Sequence, residues 1–253
     1  MLIKSAFNDS CEKVERLLTH GANVNAADDV GDTALHCVVQ RGRVDVAALL
    51  LGKGADIEAR NKNGYTPLIM AVFHGELRCV ELLLDRGAKI NAVCNDGFTA
   101  LNCAAQEHFL EVVVRLLVVR GADIERGTVD GQTPLMTAAI NNRVDVVRCL
   151  LDFGVKVNAK QNDGFTALHW ASQEGHIDVV KLLLDHGANV RAVSNDGRTA
   201  FHYASINNRT TVAALLRSRG AIVDALITPL HFAAGQFKKE GKKEKEKEKE
   251  KPL

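Results

Sequence analysis

Aromatic side chains are scarce in this chain, at 5% of residues, with a single Trp and two Tyr. An interior built around stacked rings is therefore excluded, and the 46% of hydrophobic residues must form a thin core of Leu, Val and Ala. Long apolar runs are also missing, and no stretch reaches the roughly 20 residues that a membrane-spanning helix needs. The start, MLIKSAFNDSCEK, carries no extended apolar segment, so no secretory leader is expected. The six cysteines form neither a CxxC nor a CxxxC pair. They read as free thiols of a reducing compartment, the cytoplasm or the nucleus.

Excess charge of one sign is lacking as well. The formal net charge is +1, too small for a field that would gather nucleic acid or a membrane surface. Within that figure, the segment from Lys238 to Lys251 contributes +3 through eight Lys and five Glu, leaving the rest near −2. Alternating Lys and Glu place opposite charges at i,i+3 but like charges at i,i+4, and no apolar face exists to bury. Residues 236–253 are accordingly expected to be a disordered tail.

What the chain has in abundance is periodicity. Gly31, Gly64, Gly97, Gly131, Gly164 and Gly197 follow one another at 33, 33, 34, 33 and 33 residues. A second series runs through Gly21, Gly54, Gly87, Gly121, Gly154, Gly187 and Gly220. Two registers with one period predict a repeat array in which each unit contacts its neighbours.

The grammar of a unit is constant. Threonine recurs at 33, 66, 99, 133, 166, 199 and 228, where a hydroxyl can cap a helix, and in five of these units a turn ending in Asp/Asn-Gly leads to it. Three of the four prolines (Pro67, Pro134 and Pro229) follow that threonine, at the first helical position where a missing N–H costs nothing. A break falls at Gly42, Gly75 and Gly175, or at His108, Asn142 and Asn208, residue types suited to a tight turn. A second helix follows, typified by Ile177-Asp-Val-Val-Lys-Leu-Leu-Leu. Its apolar face is wider than one stripe and suits burial between two neighbours.

TPLMTAAINNRVDVVRCLL and TALHWASQEGHIDVVKLLLDHGANV resemble ankyrin repeats, and the resemblance runs from residue 2 to about 235. It implies an all-α solenoid of stacked antiparallel helix pairs with projecting β-hairpin fingers. Fingers and first helices would together make a concave face. The expected organisation is an array over 1–235, comprising an N-terminal helix pair, six full units and a C-terminal half unit. Three departures stand out. The chain begins inside a first helix. One extra residue enters near Glu111 or Val112. The connection from Gly220 to Thr228 is four residues shorter than that from Gly187 to Thr199, and it lacks the Asp-Gly turn.

Chemistry finds no foothold. Gly52-Lys53-Gly54-Ala55 lacks the spacing of a phosphate loop, and neither HExxH nor a zinc-spaced Cys/His cluster occurs. Cys37 beside His36 invites a nucleophile–base reading. However, His36, His169, His202 and His231 all stand three residues after the unit's threonine, and Ile69, Asn102 and Met136 fill that slot elsewhere. A recurring structural role follows; the resemblance implies hydrogen bonds within and between fingers. No enzymatic activity and no cofactor are expected.

Binding is the remaining class. The residue after each finger glycine is Asp32, Tyr65, Phe98, Gln132, Phe165 or Arg198, aromatic in three of six units of an aromatic-poor chain. A second row, just before the break, includes Phe73 and the pair Gln173-Glu174. A third row, after the histidine slot, includes Trp170 and Tyr203. Trp, Tyr and Arg are enriched at interface hot spots. The expected partner-binding residues are therefore Tyr65, Phe73, Phe98, Phe165, Trp170, Gln173, Glu174, Arg198 and Tyr203, with the densest group at Phe165, Trp170, Arg198 and Tyr203. The expected ligand is another protein, bound by a monomer acting as scaffold or adaptor. A regulatory or targeting segment of a larger protein, and small-molecule sensing on the concave face, are the alternatives. The resemblance also implies that the finger asparagines Asn25, Asn91 and Asn158 can be hydroxylated.

Overall fold

The computed structural model describes residues 2–8, 11–107 and 111–221. The shortened last finger, the half unit with His231, the Lys/Glu-rich tail and His108 lie outside the described residues. Fourteen helices occur among the described residues, in seven pairs. The first helices of the pairs are α1 (Leu2–Asn8), α3 (Ala34–Val39), α5 (Pro67–Phe73), α7 (Ala100–Gln106), α9 (Pro134–Ile140), α11 (Ala167–Glu174) and α13 (Ala200–Ile206). Their partners are α2 (Cys11–Thr19), α4 (Val44–Gly52), α6 (Leu77–Asp85), α8 (Glu111–Val119), α10 (Val144–Asp152), α12 (Ile177–Asp185) and α14 (Thr210–Ser218). Each first helix packs on the next first helix, from α1 through to α13. The second helices stack likewise, α2 on α4 on α6 and α8 on α10 on α12 on α14.

The capping threonines sit in extended backbone at the head of each first helix from α3 onward, as at Thr66 with φ −88° and ψ 163°. The Thr66 hydroxyl accepts the Ile69 N–H at 3.3 Å, satisfying a donor the helix leaves orphaned. At the break, Gly175 takes φ +86°, and Asn142 and Asn208 take +56° and +57°, the left-handed turn their residue types suggested. Leu35, Leu68, Leu101, Leu135 and Leu168 of the first helices, and Leu50, Leu83, Leu117, Leu150 and Leu183 of the second, are buried almost completely. Each such leucine contributes about 1.5–3 kcal/mol through the apolar surface it removes from water. All six cysteines are free thiols, five buried and Cys11 partly exposed.

In the fingers, isolated antiparallel bridges join Ala27 to Thr33, Val93 to Thr99 and Val193 to Thr199, and no strand of greater length occurs among the described residues. Each tip is closed by two backbone bonds, such as Gln161 N–H to Phe165 O at 2.9 Å and Gly164 N–H to Gln161 O at 2.9 Å. Beyond the tip the backbone turns its hydrogen bonds sideways, to the next finger.

The extra residue enters just before Glu111, in a connection lengthened by one residue. Helix α8 has the same nine residues as α6 and α10, and α7 the same seven as α5 and α9. The insertion therefore falls between Gln106 and Glu111. One effect is visible in α8, where Val112 takes the place that Asp145 and Asp178 take in α10 and α12, and is 62% exposed.

Candidate protein-binding face

Consecutive fingers are bonded into a ladder. The backbone N–H groups of Lys62, Asn95, Val129, Asn162 and Asn195 donate to the carbonyls of Val30, Asn63, Asp96, Asp130 and Asp163, each one unit earlier, at 2.8–3.3 Å. Asparagine side chains reinforce it, with Asn195 Nδ2 donating to Asn162 O at 2.9 Å. At the finger bases a second set of side chains bridges units. Asn25, Asn91 and Asn158 accept the N–H groups of Asp56, Asp123 and Asn189, while Glu58 and Glu125 accept those of Lys89 and Lys156. Where the acceptor is an anion, the donor residue is a lysine.

The histidine slot ties fingers to helices. His169 Nδ1 lies 3.1 Å from Thr166 N and 2.9 Å from Thr166 Oγ1, and its Nε2 lies 3.2 Å from Arg198 O in the next finger. His36 repeats the arrangement with Thr33 and Tyr65 O. This is a positioning job, repeated along the array, and it absorbs the Cys37–His36 pair. Burial pushes the Cys37 thiol up to about 11, so its nucleophilic thiolate is suppressed.

On this framework the expected site residues fall into two groups. Phe165 packs against Trp170 and Tyr203 with ring centroids 4.8 and 4.6 Å apart, in tilted geometry. Phe165 and Tyr203 are buried, at 9% and 8% exposure, whereas Trp170 and Arg198 are half-buried. The Trp170 indole N–H donates to Gln161 Oε1 at 2.9 Å, fixing the ring. Tyr203 donates its hydroxyl proton to Asp196, 2.9 Å from both carboxylate oxygens, and Ser194 donates to the same carboxylate at 2.5 Å. Arg198 completes the group with an ion pair to Asp196 at 3.1 Å. Burial opposes the Asp196 charge, but the donors Ser194 and Tyr203, with Arg198 beside them, hold its carboxyl below the usual range. Gln173 and Glu174, half-buried, lie on α11 one turn beyond Trp170 and bond to each other at 3.2 Å.

The second group lies three units away. Tyr65 stacks on Phe73 at 6.4 Å between centroids, and Phe73 meets His74 edge-on at 5.4 Å. Phe73 is 40% exposed. Phe98 is half-buried against the core between the two groups.

Ile206, from the row just before the break, is 59% exposed and continues the surface one unit beyond Gln173. One further participant, Gln161, carried no sequence signal as a site residue. Gln161 stands where Asn61 stands in its finger, and Asn61 uses its side-chain oxygen to bind Asn63 N and Tyr65 N in the tip. At Gln161 the longer side chain reaches Trp170 instead, and Asp163 takes over the tip by accepting Phe165 N–H at 2.9 Å.

Among the described residues, no cluster of three or more His, Cys, Asp or Glu could hold a metal, and no helix is long and apolar enough to cross a membrane. A shallow cavity of about 580 Å³ opens where α1 and α3 meet the finger between them, lined in part by Ile3, Phe7, Asp28 and Asp32.

The profile of the family described as Ankyrin repeats (3 copies) matches residues 2–94, 58–127, 101–194 and 150–227. Among solved structures, the chain is similar to the human ASB11 ankyrin repeat domain, at 28% identity and a TM-score of 0.78 over 87% of this chain and 98% of that one. It is similar also to the ankyrin repeat domain of Bcl-3, which is described as a unique member of the IkappaB protein family. That match has 30% identity and a TM-score of 0.74 over 85% of this chain and 97% of that one. No curated protein sequence matches the chain. Ankyrin repeats are in general protein–protein interaction modules. With the family profile spanning nearly every described residue, this chain belongs to the ankyrin repeat family.

Proposed function

We propose that this chain is a non-catalytic interaction module that docks a protein partner on the concave face formed by its fingers and first helices. The observation that carries the reading is Trp170. Its ring is half-exposed, its N–H is fixed by Gln161, and it rests on the buried ring of Phe165 beside the Tyr203–Asp196–Arg198 network. A rigid aromatic loses little side-chain freedom on binding, which is why such residues make hot spots. Trp170, Gln173, Glu174 and Arg198 would touch the partner, and Phe165 and Tyr203 would hold them in place. Tyr65, Phe73 and Phe98 would form a second contact along the same face. The role is that of a scaffold or adaptor acting as a monomer in the cytoplasm or nucleus, where six free thiols persist.

The test is affinity capture by the intact chain against Trp170→Ala. Truncating a hot spot of this kind costs about 2 kcal/mol or more, roughly a thirtyfold loss of affinity. Partners captured equally by both chains would remove Trp170 from the site. Loss on Tyr65→Ala and Phe73→Ala alone would move the interface to the second group.

A further inference from the structure

The histidine seats have a fixed protonation state. A backbone N–H can only donate, so the nitrogen facing Thr33 N at 3.2 Å in His36, and Thr166 N at 3.1 Å in His169, must accept. A carbonyl can only accept, so the other nitrogen, 3.0 Å from Tyr65 O or 3.2 Å from Arg198 O, must carry the hydrogen. Each ring is therefore the neutral Nε2–H tautomer, with no exposed surface. A proton added at Nδ1 would point at an N–H it cannot bond, leaving that buried donor unsatisfied.

The third unit supplies the control. Asn102 takes the same seat: its Oδ1 accepts Thr99 N at 3.1 Å and Thr99 Oγ1 at 2.7 Å, and its Nδ2 donates to Gln132 O at 3.4 Å. It offers the same acceptor and the same donor, but no site for a proton.

We propose that mild acid unlocks this array selectively, loosening the histidine-seated junctions at His36 and His169 while the Asn102 junction holds. The charged groups around each seat are few. Asp28 and Asp32 near His36, and Asp196 near His169, favour the imidazolium, and Lys160 opposes it at His169; Tyr203 is the other titratable neighbour, its ring edge-on to His169. Burial outweighs them and pushes both histidines below the ordinary value. The sign follows from linkage. An opened junction binds more protons than a closed one, so closure is at full strength above the free imidazole pKa of about 6.5. It weakens as pH falls through that value, and the loss levels off below the depressed folded pKa.

Resting on the reading of Trp170 as the partner contact, the same step would release the partner. His169 lies under Phe165 and Tyr203, at 5.4 and 5.8 Å between ring centroids. The finger it holds carries Arg198.

Amide exchange by NMR at pH 7.5 and 5.5, corrected for the intrinsic rate, tests the device without a partner. Protection at Thr33 and Thr166 is expected to fall severalfold, up to about tenfold, at the lower pH, with Thr99 unchanged. His169→Asn should abolish the change at Thr166, and Asn102→His should create one at Thr99. A fall at Thr99 in the unaltered chain, or a fall at Thr166 that survives His169→Asn, would overturn the proposal. Capture of a partner at both pH values separates the two claims. Acid-independent capture on a chain whose Thr166 amide has opened would refute the link to the binding site, leaving the switch itself supported.

Discussion

Gly164 and Gly197 occupy the same place in adjacent fingers, with φ +84° and +79°, yet an added methyl group would meet different surroundings. Alanine at either position pays about 1–2 kcal/mol for the left-handed backbone. At Gly197 the new Cβ would have nothing within 4 Å among the described residues. At Gly164 it would lie 2.6 Å from Asn195 Oδ1, 2.8 Å from Asn195 N and 3.1 Å from Ser194 C. Two of those atoms belong to the backbone of the next finger and cannot swing aside like a side-chain tip. Relief requires the next finger to move, which breaks the Asn195 N–H bond to Asp163 O and the Asn195 amide bond to Asn162 O. At about 1 kcal/mol net for each bond, Gly164→Ala is expected to cost about 3–4 kcal/mol and Gly197→Ala about 1–2. Urea titration followed by the fluorescence of Trp170, the only tryptophan, reads stability in the unit concerned. Equal losses, or a larger loss for Gly197→Ala, would refute the ladder as a source of stiffness.

Two further outcomes follow from burial. Ser172 Oγ is buried on α11 without a hydrogen-bond partner, at the place held by Ala105 and Ala139 in neighbouring units. Ser172→Ala should therefore raise unfolding free energy by about 1 kcal/mol in the same titration; a destabilised variant would mean the hydroxyl has a partner. Burial pushes the thiols of Cys37 and Cys79 to about 11 and that of Cys103 to about 12, so thiol labelling of the native chain at pH 8 should modify Cys11 first and these three only on unfolding. Fast native labelling of Cys103 would contradict its burial.

The repeat was legible because its marks are obligatory. Gly175 and Asn142 announce positive φ, the threonines announce caps, and Leu168 announces the core in every unit alike. Features that depend on a neighbouring unit were not. Phe165 reads as a variable surface residue, yet its ring is covered by Trp170 on its own unit and Tyr203 on the next, and no local pattern tells a covered ring from a bare one. The finger ladder is likewise silent, being made of backbone groups that every residue possesses. The inserted residue was legible only to within a residue or two, for a related reason. Leu110-Glu111-Val112-Val113 matches Ile177-Asp178-Val179-Val180 in letters, but the helix keeps the register in which Val113, Val114 and Leu117 are buried. Packing, not similarity, chose the register.

The central claim is that a protein partner binds where Trp170 is displayed. The most direct measurement is quantitative capture by the intact chain, by Trp170→Ala and by Lys181→Ala, whose side chain is exposed on α12. A partner held by the intact chain and by the Lys181 variant is expected to bind at least about thirtyfold more weakly to Trp170→Ala, with helicity unchanged. Retention by the Trp170 variant, with loss on Lys181→Ala, would place the interface on the second helices and contradict it.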